Sequence, residues 1–300
     1  MFPDYGAEAN VTAVPTAIVN GRSIAYDLIG DGRPWVITPG GRFSKDYGGV
    51  RELGKALAAR GNQVLVWDRP NTGESDVCFD GTSESEMQAD TLAGLLRQLD
   101  LAPAVIAGGS GGSRVSLLTA ARHPDVASAL AVWWISGGVL GLIGLGFHYC
   151  SDSIRSAWNG GMEAVVELPE WQEVLERNPA NRDRMLAMDP ATFIDTMERW
   201  MLVYCPCGDE VVPGLSSHDA AELKVPALVF RSGASDVNHP RATSEAVADA
   251  LPNVRMVEPP WGDREWLDRQ AARSQQGEAL FARWPLLAPQ LLEWAEDVLD

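Results

Sequence analysis

Ala104-Val105-Ile106-Ala107-Gly108-Gly109-Ser110-Gly111-Gly112-Ser113 decides how this chain reads. A short apolar run enters four glycines around one serine, and a helical stretch, Gly111–Ala121, follows. The pattern G-x-S-x-G between a strand and a helix is a nucleophile elbow. Such a turn strains the serine backbone, so its flanks must be nearly free of side chains. The helix starting behind Ser110 offers unpaired N–H groups and a positive dipole end to a developing oxyanion, with Gly111 N–H as the first donor. A phosphate loop is the competing reading. It lacks the Walker lysine, no G-x-G-x-x-G occurs, and a dinucleotide fingerprint belongs after the first parallel strand.

Strands and helices alternate outward from the elbow. Thr16–Val19 and Ser23–Ile29 are β-like runs joined by Asn20-Gly21, a two-residue hairpin signal. Trp35–Thr38, Val64–Trp67 and Ala129–Ile135 read as strands, apolar enough for a sheet covered on both faces. Val50–Arg60 and Ser85–Leu99 carry helical periodicity. The alternation resumes with strand Ala227–Arg231, helix Arg241–Ala250, strand Val254–Val257 and a helical tail. This order predicts an α/β fold with a mostly parallel sheet, right-handed crossovers and an antiparallel N-terminal edge. Residues 137–222 break the pattern. They read as helical, hold Trp158, Trp171 and Trp200, and contain no convincing strand. They are assigned to an inserted cap, with residues 1–136 and 223–300 as the core. Residues 1–15 read as a loose arm.

Composition excludes several classes. The chain has 300 residues, with 24 Lys and Arg against 41 Asp and Glu, a net charge of -17. Such a surface repels phosphate backbones and anionic membranes, so neither nucleic acid nor membrane is an expected partner. Ala127–Leu145 is apolar, but glycines interrupt it and it continues a strand, so it is not read as a membrane span. No secretory leader is recognised. Cys205 and Cys207 are the only close cysteine pair, with no second pair to complete a zinc site. The expectation is reduced thiols, a cytoplasmic protein, no metal or cofactor, and cap helices that could pair in a homodimer.

Further motifs, in order, give a resemblance. Pro39-Gly40-Gly41-Arg42 follows the strand Trp35–Thr38, and Asp68-Arg69-Pro70-Asn71-Thr72-Gly73-Glu74-Ser75 follows Val64–Trp67. Arg122-His123-Pro124-Asp125 ends the helix behind the elbow, and Val225-Pro226 precedes Val229–Gly233, Ala234, Ser235 and Asp236. Over nearly its whole length the chain resembles the cap-bearing α/β-hydrolase-fold family. The resemblance implies a central sheet flanked by helices, a helical cap, a second oxyanion N–H from Gly41 and an acid at Asp236. It also implies that the Asp68–Ser75 turn is structural. The esterases and lactonases of the family imply hydrolysis of an ester, lactone or related bond in a small hydrophobic or aromatic molecule by Ser110.

One position departs from the family. The catalytic histidine is expected just after the last strand, where the chain reads Val257-Glu258-Pro259-Pro260-Trp261-Gly262-Asp263, and no histidine follows His239. A serine without a base is a poor nucleophile. His123 ends a helix and reads as structural, while His148 and His218 lie in or beside the cap. His239, three residues after Asp236, is either a base forming a local dyad with that acid or a solvent-facing residue ahead of a helix. A second route makes Asp263 or Asp236 the base in an apolar pocket aided by Trp261 and Trp266. A third is a non-hydrolytic member: a lyase, a cofactor-free oxygenase or a small-ligand binder. Arg42 stands either to anchor a substrate carboxylate or enol oxygen or to pair with Asp46. One of Trp133 and Trp134 is expected to face the cavity, and His148 and Trp261 complete the candidate substrate-binding residues.

Overall fold

The computed structural model describes residues 14–299. The expected arm therefore lies outside the described residues except for Val14 and Pro15. The core opens with strands β1 (Thr16–Val19), β2 (Arg22–Ile29) and β3 (Arg33–Thr38), then helix α1 (Val50–Ala58) and strand β4 (Asn62–Trp67). Helix α2 (Glu84–Gln98), strand β5 (Ala104–Gly109), helix α3 (Gly111–Arg122) and strand β6 (Ala127–Trp133) follow. Asn20 and Gly21 both have positive φ, 49° and 75°, which the two-residue hairpin between β1 and β2 requires.

A helical insertion comes next: α4 (Val139–Val165), α5 (Pro169–Arg177), α6 (Ala180–Leu186) and α7 (Pro190–Leu202). A small hairpin, β7 (Glu210–Val212) with β8 (Leu215–Ser216), and helix α8 (Ser217–Ala221) close it. The hairpin corrects the expectation of a strandless stretch. Its arms are too short to show periodicity, and only the Pro213-Gly214 turn marks it in the sequence. The core resumes with β9 (Ala227–Phe230), α9 (Arg241–Ala250), β10 (Val254–Val257), α10 (Glu265–Gln276) and α11 (Ala288–Leu299).

The main sheet has eight strands in the order β1-β2-β4-β3-β5-β6-β9-β10. Pairings from β4 to β10 are parallel, while β1 and β2 form the antiparallel edge. Adjacent strand residues point to opposite faces, so each central strand feeds two cores. Ile106 packs in one with Leu92 and Leu96 of α2, Val115 of α3 and Val247 of α9. Val105 and Ala107 pack in the other with Leu53 and Leu57 of α1 and Leu291 of α11. Burial on both faces explains the continuous apolar runs; each fully buried Leu or Val contributes about 1.5–3 kcal/mol.

The insertion has its own apolar cluster, in which Trp171, Phe193 and Trp200 surround Phe79 from the loop after β4. Asn181, fully buried, ties α6 to that loop. It accepts from Val77 N–H at 3.0 Å and donates to Ser75 O at 2.9 Å. Among the described residues no helix is long and apolar enough to cross a membrane. The run from Ala127 divides instead into β6, a turn and α4. Strand β6 ends at Trp133, earlier than expected, because Trp134 takes a positive φ of 48°.

Candidate active site

The parallel strands β3, β5, β6 and β9 end on the same edge of the sheet, so their following loops converge there. Ser110 sits between β5 and α3 with φ 56° and ψ -127°, a backbone state that L-residues rarely adopt. Two close approaches explain the glycines. A side chain at Gly112 would lie 2.0 Å from Thr38 O, and one at Gly40 would lie 2.5 Å from Ser110 Cβ. Ser110 O accepts from Ser113 N at 3.0 Å and from Ser113 Oγ at 2.6 Å, which fixes the turn.

His239 lies on the loop after β9. Its Nε2 is 2.9 Å from Ser110 Oγ, and its Nδ1 is 2.8 Å from Asp236 Oδ2. Asp236 and His239 are both buried. A carboxylate only accepts, so Nδ1 carries the proton and donates to Asp236. Nε2 is then the acceptor for the Ser110 hydroxyl. Asp236 Oδ1 also accepts the backbone N–H groups of Asn238 and His239, each at 3.0 Å. One carboxylate thus shapes the loop and orients the ring. Burial alone would raise the Asp236 carboxyl, but His239 and Arg269 outweigh it and hold it below the ordinary carboxylate range.

Sequence reasoning missed the support behind this dyad. Arg269 of α10 reaches Asp236 Oδ2 at 3.3 Å, donates to Glu265 Oε1 at 2.8 Å and covers the Trp134 ring at 3.9 Å. The Trp134 ring in turn stacks on His239, with centroids 6.0 Å apart. Burial pushes the Glu265 carboxyl upward against the opposing charge of Arg269. The helical spacing of Glu265 and Arg269 was the only available signal, and it marks a helix face rather than a site.

The expected oxyanion donors lie together: a Cβ on Gly111 would stand 3.3 Å from Gly41 N. Gly111 opens α3, so its N–H has no acceptor within the helix. Arg69 holds the facing loop, donating through Nη2 to the carbonyls of Gly40, Gly41 and Phe43 at 3.2, 2.7 and 3.2 Å. Burial lowers its guanidinium to about 10. The Asp68–Ser75 turn thereby positions the loop that carries Gly40 and Gly41.

Two cavities meet at Ser110, sharing Gly41, Leu145 and Tyr149 as wall. The larger, about 130 Å³, is bounded by Phe43, Trp134, Trp266 and Phe281. The smaller, about 30 Å³, is bounded by Arg42, Arg69, Glu84, Arg114 and Tyr204.

Several candidates lie elsewhere. Asp263 is largely exposed and ion-paired with Arg241, and it lines neither cavity. Its own carbonyl accepts from Ser235, which turns this loop toward the surface. Trp133 is buried against Trp284, beneath the elbow, because the chain reverses at Trp134 and carries only the latter into the larger cavity. His148 is exposed; its helical neighbours Leu145 and Tyr149 face Ser110 instead. Trp261 backs Trp134, with centroids 5.4 Å apart, but does not bound either cavity. Arg42 does not pair with Asp46, which is taken by Lys45, Arg51 and Arg177. Its guanidinium lies over Trp171 at 4.3 Å and Tyr149 at 5.5 Å. His123 bonds Asp90 at 2.7 Å, away from the cavities.

A parallel sheet with a strained serine turn at its centre defines the class, and comparison with known proteins agrees. The enol-lactonase from Burkholderia xenovorans LB400 superposes with a TM-score of 0.56 at 21% identity, over 94% of this chain and 100% of that one. The chain has the α/β-hydrolase fold. It is 27% identical to BpoC of Mycobacterium tuberculosis, named for the non-heme bromoperoxidases, over 79% of this chain and 89% of that protein. It is 36% identical to the mouse protein named sn-1-specific diacylglycerol lipase ABHD11, but over only 38% of this chain. That match spans 37% of the mouse protein's length. No family model matches the chain.

Proposed function

We propose that this protein is a serine hydrolase acting on an ester, a lactone or a related bond in a small molecule. The observation that carries the reading is the relay of 2.9 Å from Ser110 Oγ to His239 Nε2 and 2.8 Å from His239 Nδ1 to Asp236 Oδ2. Ser110 Oγ attacks the carbonyl carbon as its proton passes to Nε2. The carbonyl oxygen becomes an oxyanion held by the N–H groups of Gly41 and Gly111. Asp236 stabilises the imidazolium that forms. The imidazolium returns the proton to the leaving alkoxide, and the acyl group stays on Ser110. A water then attacks in the same way, with His239 again the base, and the acid is released. The relatives named as a lipase and an enol-lactonase support this bond class.

The aromatic wall of the larger cavity favours an apolar arm on the substrate. Residues 137–222 serve in this reading as a cap that brings Leu145, Tyr149 and Tyr204 over Ser110. Four free cysteines fit a reducing, cytoplasmic setting.

The test is turnover of p-nitrophenyl esters by wild type, Ser110→Ala and His239→Ala. The reading expects turnover that falls by at least about 10³-fold in both variants. Absence of turnover by wild type across acetyl to octanoyl esters would overturn it, as would full activity without His239.

A further inference from the structure

The smaller cavity beside Ser110 does not match the apolar substrate that the sequence leads one to expect. Arg42 enters it from the oxyanion loop and Arg114 from the elbow helix. Each stacks on an aromatic ring, Arg114 over Tyr204 at 4.6 Å and Arg42 over Trp171 at 4.3 Å. Neither forms an ion pair among the described residues. All three guanidinium nitrogens of Arg42 are shielded from solvent with no hydrogen-bond partner, and Arg114 Nε is in the same state. A shielded charge with no partner is unfavourable unless a ligand supplies one.

The wider charge distribution agrees. The chain carries 24 Lys and Arg against 41 Asp and Glu. Arg269 is paired with Asp236 and Glu265, yet Arg42, Arg69, Arg114 and Arg273 also line the two cavities, against one lining acid, Glu84. Positive groups are gathered at the site of an otherwise acidic protein, and such an arrangement draws an anion there. Arg69 is already committed to three loop carbonyls. Those carbonyls are neutral and leave its charge in place, so the smaller cavity holds three guanidinium groups against the one carboxylate of Glu84. The cavity of about 30 Å³ has room for roughly two waters' worth of atoms. That fits a planar carboxylate better than a tetrahedral phosphate.

We propose that Arg42 and Arg114 form a carboxylate subsite next to Ser110, and that the substrate is an ester or lactone bearing a carboxylate on the arm that enters it. The proposal rests on the reading of Ser110 as the nucleophile and narrows its substrate. Arg42 turns out from the Tyr149 and Trp171 rings that shield it to meet the carboxylate through paired N–H donors, a geometry that a lysine ammonium lacks. The apolar arm, on the other side of the scissile bond, takes the aromatic cavity.

The test measures binding on Ser110→Ala protein by calorimetry, with the monomethyl esters of succinate, glutarate and adipate and the matching dimethyl esters. At least one monoester is expected to bind about tenfold more tightly than its diester, since a hydrogen-bonded charge is at stake. Smaller ratios throughout the series would overturn the proposal. Adding Arg42→Met should bring the ratio close to one, with Arg42→Lys falling between. Arg114→Met serves as the second variant should Arg42→Met fail to fold. A ratio that survives both changes would also overturn the assignment. Because binding is read without Ser110, the two readings fail separately. Serine-dependent turnover of neutral esters with no monoester preference defeats the subsite alone. Monoester preference with no ester turnover by wild type defeats the hydrolase reading alone.

Discussion

Asp236 and His239 are three residues apart in one loop, yet their side chains meet at 2.8 Å while the same carboxylate accepts the His239 backbone N–H at 3.0 Å. The carboxylate and the imidazole are therefore one local unit, and its geometry is fixed by loop conformation rather than by docking two distant segments. Replacing Asp236 with Asn should lower kcat by about 10³–10⁴-fold, because an amide N–H facing Nδ1 favours the tautomer with its proton on Nε2. Steady-state kinetics on a p-nitrophenyl ester checks this. A loss under tenfold would show that the ring does not depend on Asp236.

The same carboxyl sets a pH dependence of stability. Its folded-state value lies below its unfolded one, near 3.9, so its contribution is complete above that value and disappears as pH falls through the folded one. The gap in Tm between wild type and Asp236→Asn should be widest above about pH 5, begin to narrow near about pH 4 and close only as pH falls through the folded value. Thermal melts across this range measure it, and a gap that widens with acid would contradict the assignment.

Asp263 offers a contrast. It stands where the family's histidine is expected, but it faces Arg241 at the surface. Asp263→Asn should leave turnover within about twofold and cost no more than about 1 kcal/mol, the range for an exposed ion pair. Parallel kinetics and urea denaturation test both statements.

Arg269 links Glu265, Asp236 and Trp134. Arg269→Met strands a buried Glu265 and should destabilise the fold by about 3–5 kcal/mol. Pairing it with Glu265→Leu should recover much of that loss. Activity should stay reduced in the double variant, since Asp236 and the Trp134 ring behind His239 remain unsupported. Recovery of kcat along with stability would show that Arg269 has no positioning role.

Asn181 tests how the insertion is seated. Asn181→Ala leaves Val77 N–H and Ser75 O without a partner, at a cost of about 1–3 kcal/mol for each buried group. Protease cleavage within residues 139–202 should accelerate. Unchanged cleavage would mean that the apolar cluster around Phe79 suffices.

The elbow was legible because its constraints are local: a strand, a strained serine and glycines all fall within one short stretch. His239 was visible as a candidate for the same reason, since Asp-x-x-His lies within one loop. Its approach to Ser110 was not, because that depends on β9 lying beside β6 across the whole insertion. Arg269 and Arg114 were unreadable; each is an ordinary helix position until the sheet turns that helix toward the serine. Asp46 illustrates the opposite error. Proximity in sequence offers Arg42 as one partner, with a substrate anchor as that arginine's equal alternative, but the fold brings Arg177 to it from the insertion. The Trp133–Trp134 pair shows the limit of alternation, since one positive φ ends the strand between them.

The central claim is that Ser110 is a nucleophile activated by His239, and covalent trapping tests it most directly. Wild-type protein is treated with a fluorophosphonate, and the adduct is located by peptide mass spectrometry. The account predicts a single adduct on Ser110, with the labelling rate at least about 10²-fold lower in His239→Ala. An adduct on another residue, or Ser110 labelled at the wild-type rate without His239, would contradict it.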